Sequence, residues 1–166
     1  LLTERFTANR SQRRSIRAHS DLQVRELPLA FQDRHYQLYL RYQTARHAGG
    51  GMDQDSNEQY ANFLLQSRVD TRLIEFSRDG EPCMISIIDV INDGLSSVYT
   101  FYDPDLRPAS LGTYNIVWQI AQCVANHLPY LYLGYWIRDC PKMSYKARFK
   151  PSEILEDQRW QRQASG

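Results

Sequence analysis

The 166-residue sequence predicts an α/β domain: a mixed, mostly antiparallel sheet with helices on both faces. Three observations carry that reading. Segments of period 2 alternate along the chain with segments of helical period. Two turn signals, Asp79-Gly80 and Asn92-Asp93-Gly94, join three consecutive β-rich segments into a meander. Between them Cys83–Ile91 is a near-continuous apolar run of strand length, as a central strand requires.

The elements follow in order. Asn9 or Ser11 can cap a short basic helix over Arg10–Arg17. Asp21–Leu27 alternates apolar and polar residues and reads as a strand closed by Pro28. Leu29–Tyr42 has helical spacing, with Phe31, His35, Leu38 and Tyr42 on one stripe. It fades before Gly49-Gly50-Gly51, a loop. Ser56 and Gln59 form a capping box, and Tyr60, Phe63 and Leu64 give the next helix, 56 to 66, its apolar face. Strands Thr71–Ser77, Cys83–Ile91 and Leu95–Tyr102 make the meander. Asp103-Pro104 stops it, and Ser110 or Thr113 opens a helix from Tyr114 to about His127. Tyr130–Ile137 reads as an aromatic, internal fifth strand. Pro141 suits the first position of a short helix through about Phe149. From Pro151 the tail is a turn plus a weak amphipathic piece around Ile154, Leu155 and Trp160.

Composition narrows the class. With 42% hydrophobic and 23% charged residues the chain is a globular protein rather than a disordered one. No stretch approaches the roughly 20 apolar residues of a membrane helix, and the opening residues do not read as a signal peptide. Cys83, Cys123 and Cys140 are odd in number and far apart, which favours free thiols in a reducing compartment such as the cytoplasm. The scattered histidines and cysteines lack ligand spacing, so no metal site is expected. The net charge of +1 hides segregation. Arg dominates the cations, and basic residues gather in 1–46 and 138–150 around an acidic middle. Merged into one face, the two basic segments would attract an anionic partner such as RNA; dispersed, they are solvated surface.

The order β-α-α-β-β-β-α-β-α resembles that of GNAT-type N-acyltransferases. In the coenzyme-A members of that fold, a Gly-rich loop and a helix N-terminus after the fourth strand hold pyrophosphate. Here the corresponding loop, 103–113, carries one Gly, two Pro and two Asp. Proline removes donors and carboxylates repel a pyrophosphate, so that cofactor is disfavoured and another acyl donor expected.

Three longer segments carry a more specific resemblance: Gly94–Asp105 (GLSSVYTFYDPD), Ser110–Ile116 (SLGTYNI), and Tyr130–Ile137 (YLYLGYWI) with Pro141–Pro151 (PKMSYKARFKP). Together with Arg10–Arg14 they resemble aminoacyl-tRNA–protein transferases of the arginyl/leucyl type. The wording is closest to the bacterial branch, the aspartate/glutamate leucyltransferases. The resemblance implies a GNAT-like catalytic domain over 21–150 and a tail over 151–166. Family members also carry an upstream region with paired cysteines, so 1–20 is expected to be a linker or basic helix leading from it.

What the resemblance implies is a reaction without cofactor. The aminoacyl ester of a charged tRNA is attacked by the α-amine of a protein beginning with Asp or Glu, marking it for N-degron degradation. That amine has a pKa near 7.7–8.0 and the ester is activated, so positioning can supply most of the acceleration. No nucleophilic cysteine is needed, and Cys140 reads as a small packed residue. The acceptor's carboxylate wants a cation, for which Arg138, Lys142 and Lys146 are candidates; the two lysines would otherwise face solvent or tRNA phosphate. Asp89, costly to bury in an apolar run, could orient the amine or accept its proton, with Tyr114 as a second catalytic candidate. Tyr99, Tyr102, Tyr114 and Tyr135 could line a cleft between strands four and five and stack on the terminal adenine, although strand aromatics are more often core. Ser97, Gly112 and Asn115 could present donors to the ester carbonyl. Arg10, Arg13, Arg14, Arg148 and Lys150 are expected against tRNA.

The donor is a question about one pocket: arginine wants acids, leucine an apolar hole. The apolar walls of 131–136 and the branch resemblance favour leucine. The remaining rivals are a coenzyme-A-dependent N-acetyltransferase and a non-catalytic tRNA-binding module. No membrane partner is expected.

Overall fold

Local rules place the helices before any packing is considered. Asn9 accepts from the Gln12 amide while the Gln12 side chain returns to the Asn9 amide, and this capping box starts α1, Arg10–Ala18. Ser56 and Gln59 do the same for α3, Asn57–Leu64. The computed structural model describes residues 1–47, 56–106, 110–137, 140 and 143–162. Within it α2 spans Asp33–His47 and α4 spans Leu111–Ala125. The strands are β1 Gln23–Leu27, β2 Thr71–Arg78, β3 Glu81–Ile91, β4 Gly94–Tyr102, β5 Tyr130–Tyr132, β6 Glu153–Glu156 and β7 Arg159–Arg162.

The main sheet has the order β1-β2-β3-β4-β5, antiparallel except where β5 joins β4 in parallel. β3 is the central strand, as its apolar run demands. Alternation along β3 sorts its side chains to two cores. Met84 and Ile88 pack under α4 with Ile116, Ile120 and Cys123, while Ile85 and Ile87 pack under α2 and α3 with Tyr39 and Tyr60. Each such fully buried aliphatic stabilises by about 1.5–3 kcal/mol, which makes α2 and α4 the two flanking layers. The α4 layer also contains a polar seam: Asn115 donates to Thr100 Oγ1 at 2.8 Å and Gln119 to Ser86 Oγ at 3.1 Å.

Several expectations are corrected. The fifth strand is not an internal strand reaching Ile137; it ends at Tyr132 and occupies the sheet's edge. Its outer side meets the chain's first residues through an isolated Leu2–Tyr130 bridge. Gly134 turns the chain away at φ +71°, and Tyr135 beyond it is 90% exposed. α2 begins four residues later than its period suggests and runs on to His47, leaving Phe31 before it, 43% exposed. Phe63, expected on the apolar face of α3, is half exposed. α4 begins at Leu111, before Tyr114. The short helix before Phe149 is a 3-10 turn over Ser144–Arg148, and Pro141 lies outside the described residues. The tail is a two-stranded hairpin, with Leu155 opposite Trp160.

Residues 1–20 pack on the α4 side. Phe6 stacks on Phe149, Ser15 Oγ donates to Ser110 O at 3.0 Å, and Gln12 Nε2 donates to Arg148 O at 3.3 Å.

The junction of β4 and β5 is set by a close approach. A Cβ at Gly94 would lie 2.3 Å from the Tyr130 carbonyl oxygen, a backbone atom that cannot give way without moving β5. Gly94→Ala is expected to destabilise the fold by about 1–3 kcal/mol through this overpacking, read from urea unfolding. An unchanged midpoint would show that β5 yields at no cost.

Candidate active site

β4 and β5 pair for three residues only, Gly94–Ser96 against Tyr130–Tyr132. From Ser97 onward β4 has no β5 neighbour. A bulge falls at that point: Ile88 pairs Ser97 and Ile87 pairs Tyr99, so Val98 is the extra residue, 46% exposed. A bulge takes a residue out of the ladder and re-aims its neighbours. The result, among the described residues, is a strand edge with no β partner beyond Ser96, where the two layers of helices meet.

Residues from α2, α4 and the 3-10 turn line this edge. From α2, Tyr42 sets its ring 5.0 Å from that of Tyr102, and the Arg46 guanidinium stands 5.6 Å over the Tyr102 ring. From α4, Gly112 lies beside the Tyr102 ring; a Cβ there would sit in ordinary contact, 3.7 Å from Tyr102 Cε1. From the 3-10 turn comes Tyr145, whose phenol is raised by burial and then by Tyr102. Burial likewise raises the Tyr42 phenol, so both hydroxyls stay protonated donors at neutral pH. Deeper on the same α2 wall, Gln43 Nε2 donates to Tyr99 OH at 2.9 Å, and Phe63 meets the Tyr99 ring edge-on at 5.2 Å. Arg41 pairs with Asp103, and with Asp105 at 3.6 Å, which ties the start of the β4–α4 loop to α2.

Asp89 sits one strand in, opposite Ser96, the last β4 residue paired to β5. It is half-buried on the Tyr99 face, and Thr71 Oγ1 donates to its Oδ1. Thr71 Oγ1 is also 2.6 Å from Ser67 Oγ, so the hydroxyls form a short chain ending at the carboxylate. Lys146 Nζ donates to the Tyr135 carbonyl at 2.7 Å, and burial lowers its pKa. It braces the segment that leaves β5.

Other expected site residues stand elsewhere. Tyr114 packs against His19 at 5.4 Å and Phe76 at 5.9 Å, toward the β2 side of α4 and away from the open edge. Asn115 is buried in the polar seam, its amide on Thr100. Tyr135 projects into solvent, while Arg138 and Lys142 lie outside the described residues. Arg10, Arg13 and Arg14 are exposed on α1, and the Gln12–Arg148 and Phe6–Phe149 contacts bring exposed Arg148 and half-buried Lys150 beside them. Among the described residues no three His, Cys, Asp or Glu side chains converge as a metal ion would need. Burial raises the Cys83 thiol, and the Cys123 thiol to about 11, so neither is a thiolate nucleophile.

The α2 wall was not among the expected site residues. Its signal is faint but present: Arg46 stands one helical turn beyond Tyr42, which the apolar stripe already contained.

A five-stranded sheet whose fourth and fifth strands splay beside a bulge, with helices on both faces, defines the GNAT class of acyltransferase fold. Solved structures agree. The PaiA N-acetyltransferase of Thermoplasma acidophilum in complex with coenzyme A superposes with a TM-score of 0.55 at 12% identity, covering 82% of this chain and 91% of that one. The ribosomal-protein-S18-alanine N-acetyltransferase of Escherichia coli gives 0.54 at 17%, covering 76% of each. Within that class, residues 34–156 match the family described as arginine-tRNA-protein transferase, C terminus, and the chain belongs to it. It is 53% identical over 161 residues to the aspartate/glutamate leucyltransferase of Nitrosospira multiformis, covering 97% of this chain and 64% of that protein. To the protein of the same name from Chromobacterium violaceum it is 49% identical over 166 residues, covering 100% and 69%. The chain thus spans about two thirds of the length of these curated relatives.

Proposed function

We propose that this chain transfers leucine from leucyl-tRNA to the N-terminal Asp or Glu of acceptor proteins, in the cytoplasm, and so marks them for N-degron degradation. The observation that carries the reading is its near-full-length likeness to proteins named aspartate/glutamate leucyltransferase. The open β4 edge offers a place for the chemistry. The aminoacylated 3′ end lies along Ser97–Tyr102 between α4 and the 3-10 turn, with the tRNA body over Arg10, Arg13, Arg14, Arg148 and Lys150. Lys146 flanks the site, tied to the chain that leaves β5 through the Tyr135 carbonyl. The acceptor comes from the α2 side. Its neutral amine attacks the ester carbonyl, the new C–N bond forms, the C–O bond to the terminal ribose breaks, and the proton that the amine gives up to Asp89 or water passes to the departing ribose oxygen. Ser97 donates to the developing oxyanion; Gly112, beside Tyr102 at the far end of β4, does not reach the same atom. Tyr99 and Tyr102 supply aromatic surface for the nucleotide and the leucyl side chain.

The test is transfer of radiolabelled leucine from leucyl-tRNA to a peptide beginning with Asp, with arginyl-tRNA run beside it. Leucine incorporation well above arginine is expected. The family's description names arginine-tRNA, and this favours arginyl transfer as the second reading. Arginine incorporation alone would select it. Saturable acetyl-CoA binding with no tRNA-dependent transfer would overturn both.

A further inference from the structure

We infer that Arg46 reads the acidic side chain of the acceptor's first residue. This rests on the proposed transfer to proteins beginning with Asp or Glu. Such an acceptor brings two opposite charges: an ammonium that becomes the nucleophile, and a carboxylate one or two carbons from its Cα. Discriminating Asp from Asn requires a cation with its donors free and held still. Among the described cations near the β4 edge, Lys146 is turned onto the Tyr135 carbonyl and Arg41 is paired with Asp103 and Asp105. Arg46 is exposed and makes no ion pair with a described residue.

Its guanidinium is nevertheless located. It lies over the Tyr102 ring, 5.6 Å from the centroid, and the edge of Tyr42, one turn back on α2, supports that ring. A guanidinium held over a ring face by cation–π attraction keeps N–H groups for bidentate contact with a carboxylate, and no described residue pairs with them. α1, with its exposed arginines, packs beside α4 on one layer; Arg46 rises from α2 on the other, and its guanidinium reaches Tyr102, which packs with the α4 cluster. The long arginine stem accommodates both side-chain lengths.

The experiment compares kcat/KM for leucyl transfer to peptides beginning with Asp, Glu, Asn and Gln. The full chain is used as wild type, Arg46→Ala, Arg46→Lys and Arg46→Glu. A charge-assisted bidentate pair predicts an Asp:Asn preference of about 10–100-fold in the wild type. Arg46→Ala is expected to bring that ratio to within about threefold by lowering the Asp rate far more than the Asn rate, and Arg46→Lys to keep part of it. Arg46→Glu should favour peptides beginning with Lys over those beginning with Asp. An unchanged Asp:Asn ratio in Arg46→Ala overturns the inference. A raised KM for leucyl-tRNA with the ratio intact also overturns it, since that is a phosphate contact. Absence of transfer by the wild type to every peptide overturns the functional reading and this inference with it; loss confined to the ratio cannot be confused with that result.

Discussion

Glu75→Ala is expected to destabilise the fold by about 1–3 kcal/mol, the range for leaving a buried donor such as His35 Nε2 without its acceptor, since Arg25 and Arg34 are partly exposed and reach solvent. Glu75 lies mid-strand in β2 with its carboxylate wholly buried. Arg25 Nη2 donates to Oε1 at 2.8 Å; Arg34 Nη2 at 2.5 Å and His35 Nε2 at 2.7 Å meet Oε2. Burial pushes the Glu75 carboxyl up, but His35, Arg25 and Arg34 together outweigh it, and the net is below the ordinary value. Burial lowers His35, and Arg34 adds to that against the pull of Glu75, so the imidazole is neutral and donates from Nε2. With two guanidiniums already on the carboxylate, a third cation has no place.

Both shifts act in the same direction with pH. Below about 6.5 the unfolded chain takes up a histidine proton that the folded chain refuses. Stability therefore falls as pH drops from there toward the folded His35 value. Below about 4.3 the unfolded Glu75 protonates before the folded one does, and the stabilisation from its partners is lost as pH passes through the folded value. Urea midpoints should fall from pH 7 to pH 4, and Glu75→Gln, which keeps the shape but not the charge, should flatten the acid limb. An unchanged midpoint in Glu75→Ala would mean that Arg25 and Arg34, both partly exposed, hold nothing in place. The cluster also anchors the first turn of α2, and the far end of that helix carries Tyr42, Gln43 and Arg46.

Much of this architecture was legible because local rules fix it. Capping boxes at Asn9 and Ser56, the Asp79-Gly80 turn and the apolar run of β3 each have a cause within a few residues. The fifth strand misled because its aromatic content suits a strand, yet its length is set by what it pairs with. β4 accepts three residues and then bulges, which no periodicity in 130–137 can report. Glu75 was unreadable for a related reason. A carboxylate between Ile74 and Phe76 looks like an outward-facing residue, and its burial depends on Arg25, Arg34 and His35 arriving from elements some 40 to 50 positions earlier. Asn115 and Tyr114 lie in a segment that matches the family, but a family segment says nothing of which helix face meets the cleft. Helical geometry turns both to the packed side, one toward Thr100 and the other toward His19.

Asp89→Asn is expected to lower kcat/KM for the acceptor peptide by about 10²–10⁴-fold, the span for losing a positioned acid–base group. Its stability should stay within about 1 kcal/mol of wild type, because the amide is isosteric and its oxygen can still accept from Thr71. The pH dependence separates the two roles open to the carboxylate. A free α-amine has a pKa near 7.7–8.0, so at pH 7 most acceptor molecules arrive as ammonium and must lose a proton before attack. If Asp89 accepts that proton, the deficit of Asp89→Asn shrinks as pH rises through 8 and solution supplies the neutral amine. If it aligns the amine by charge and hydrogen bonding, the deficit persists across the range. Thr71→Val, which removes the hydroxyl that holds the carboxylate, should cost a smaller part of the same rate with the same pH profile. Equal rates for Asp89→Asn and wild type at every pH would remove Asp89 from the site and leave the amine to be placed by the α2 wall alone.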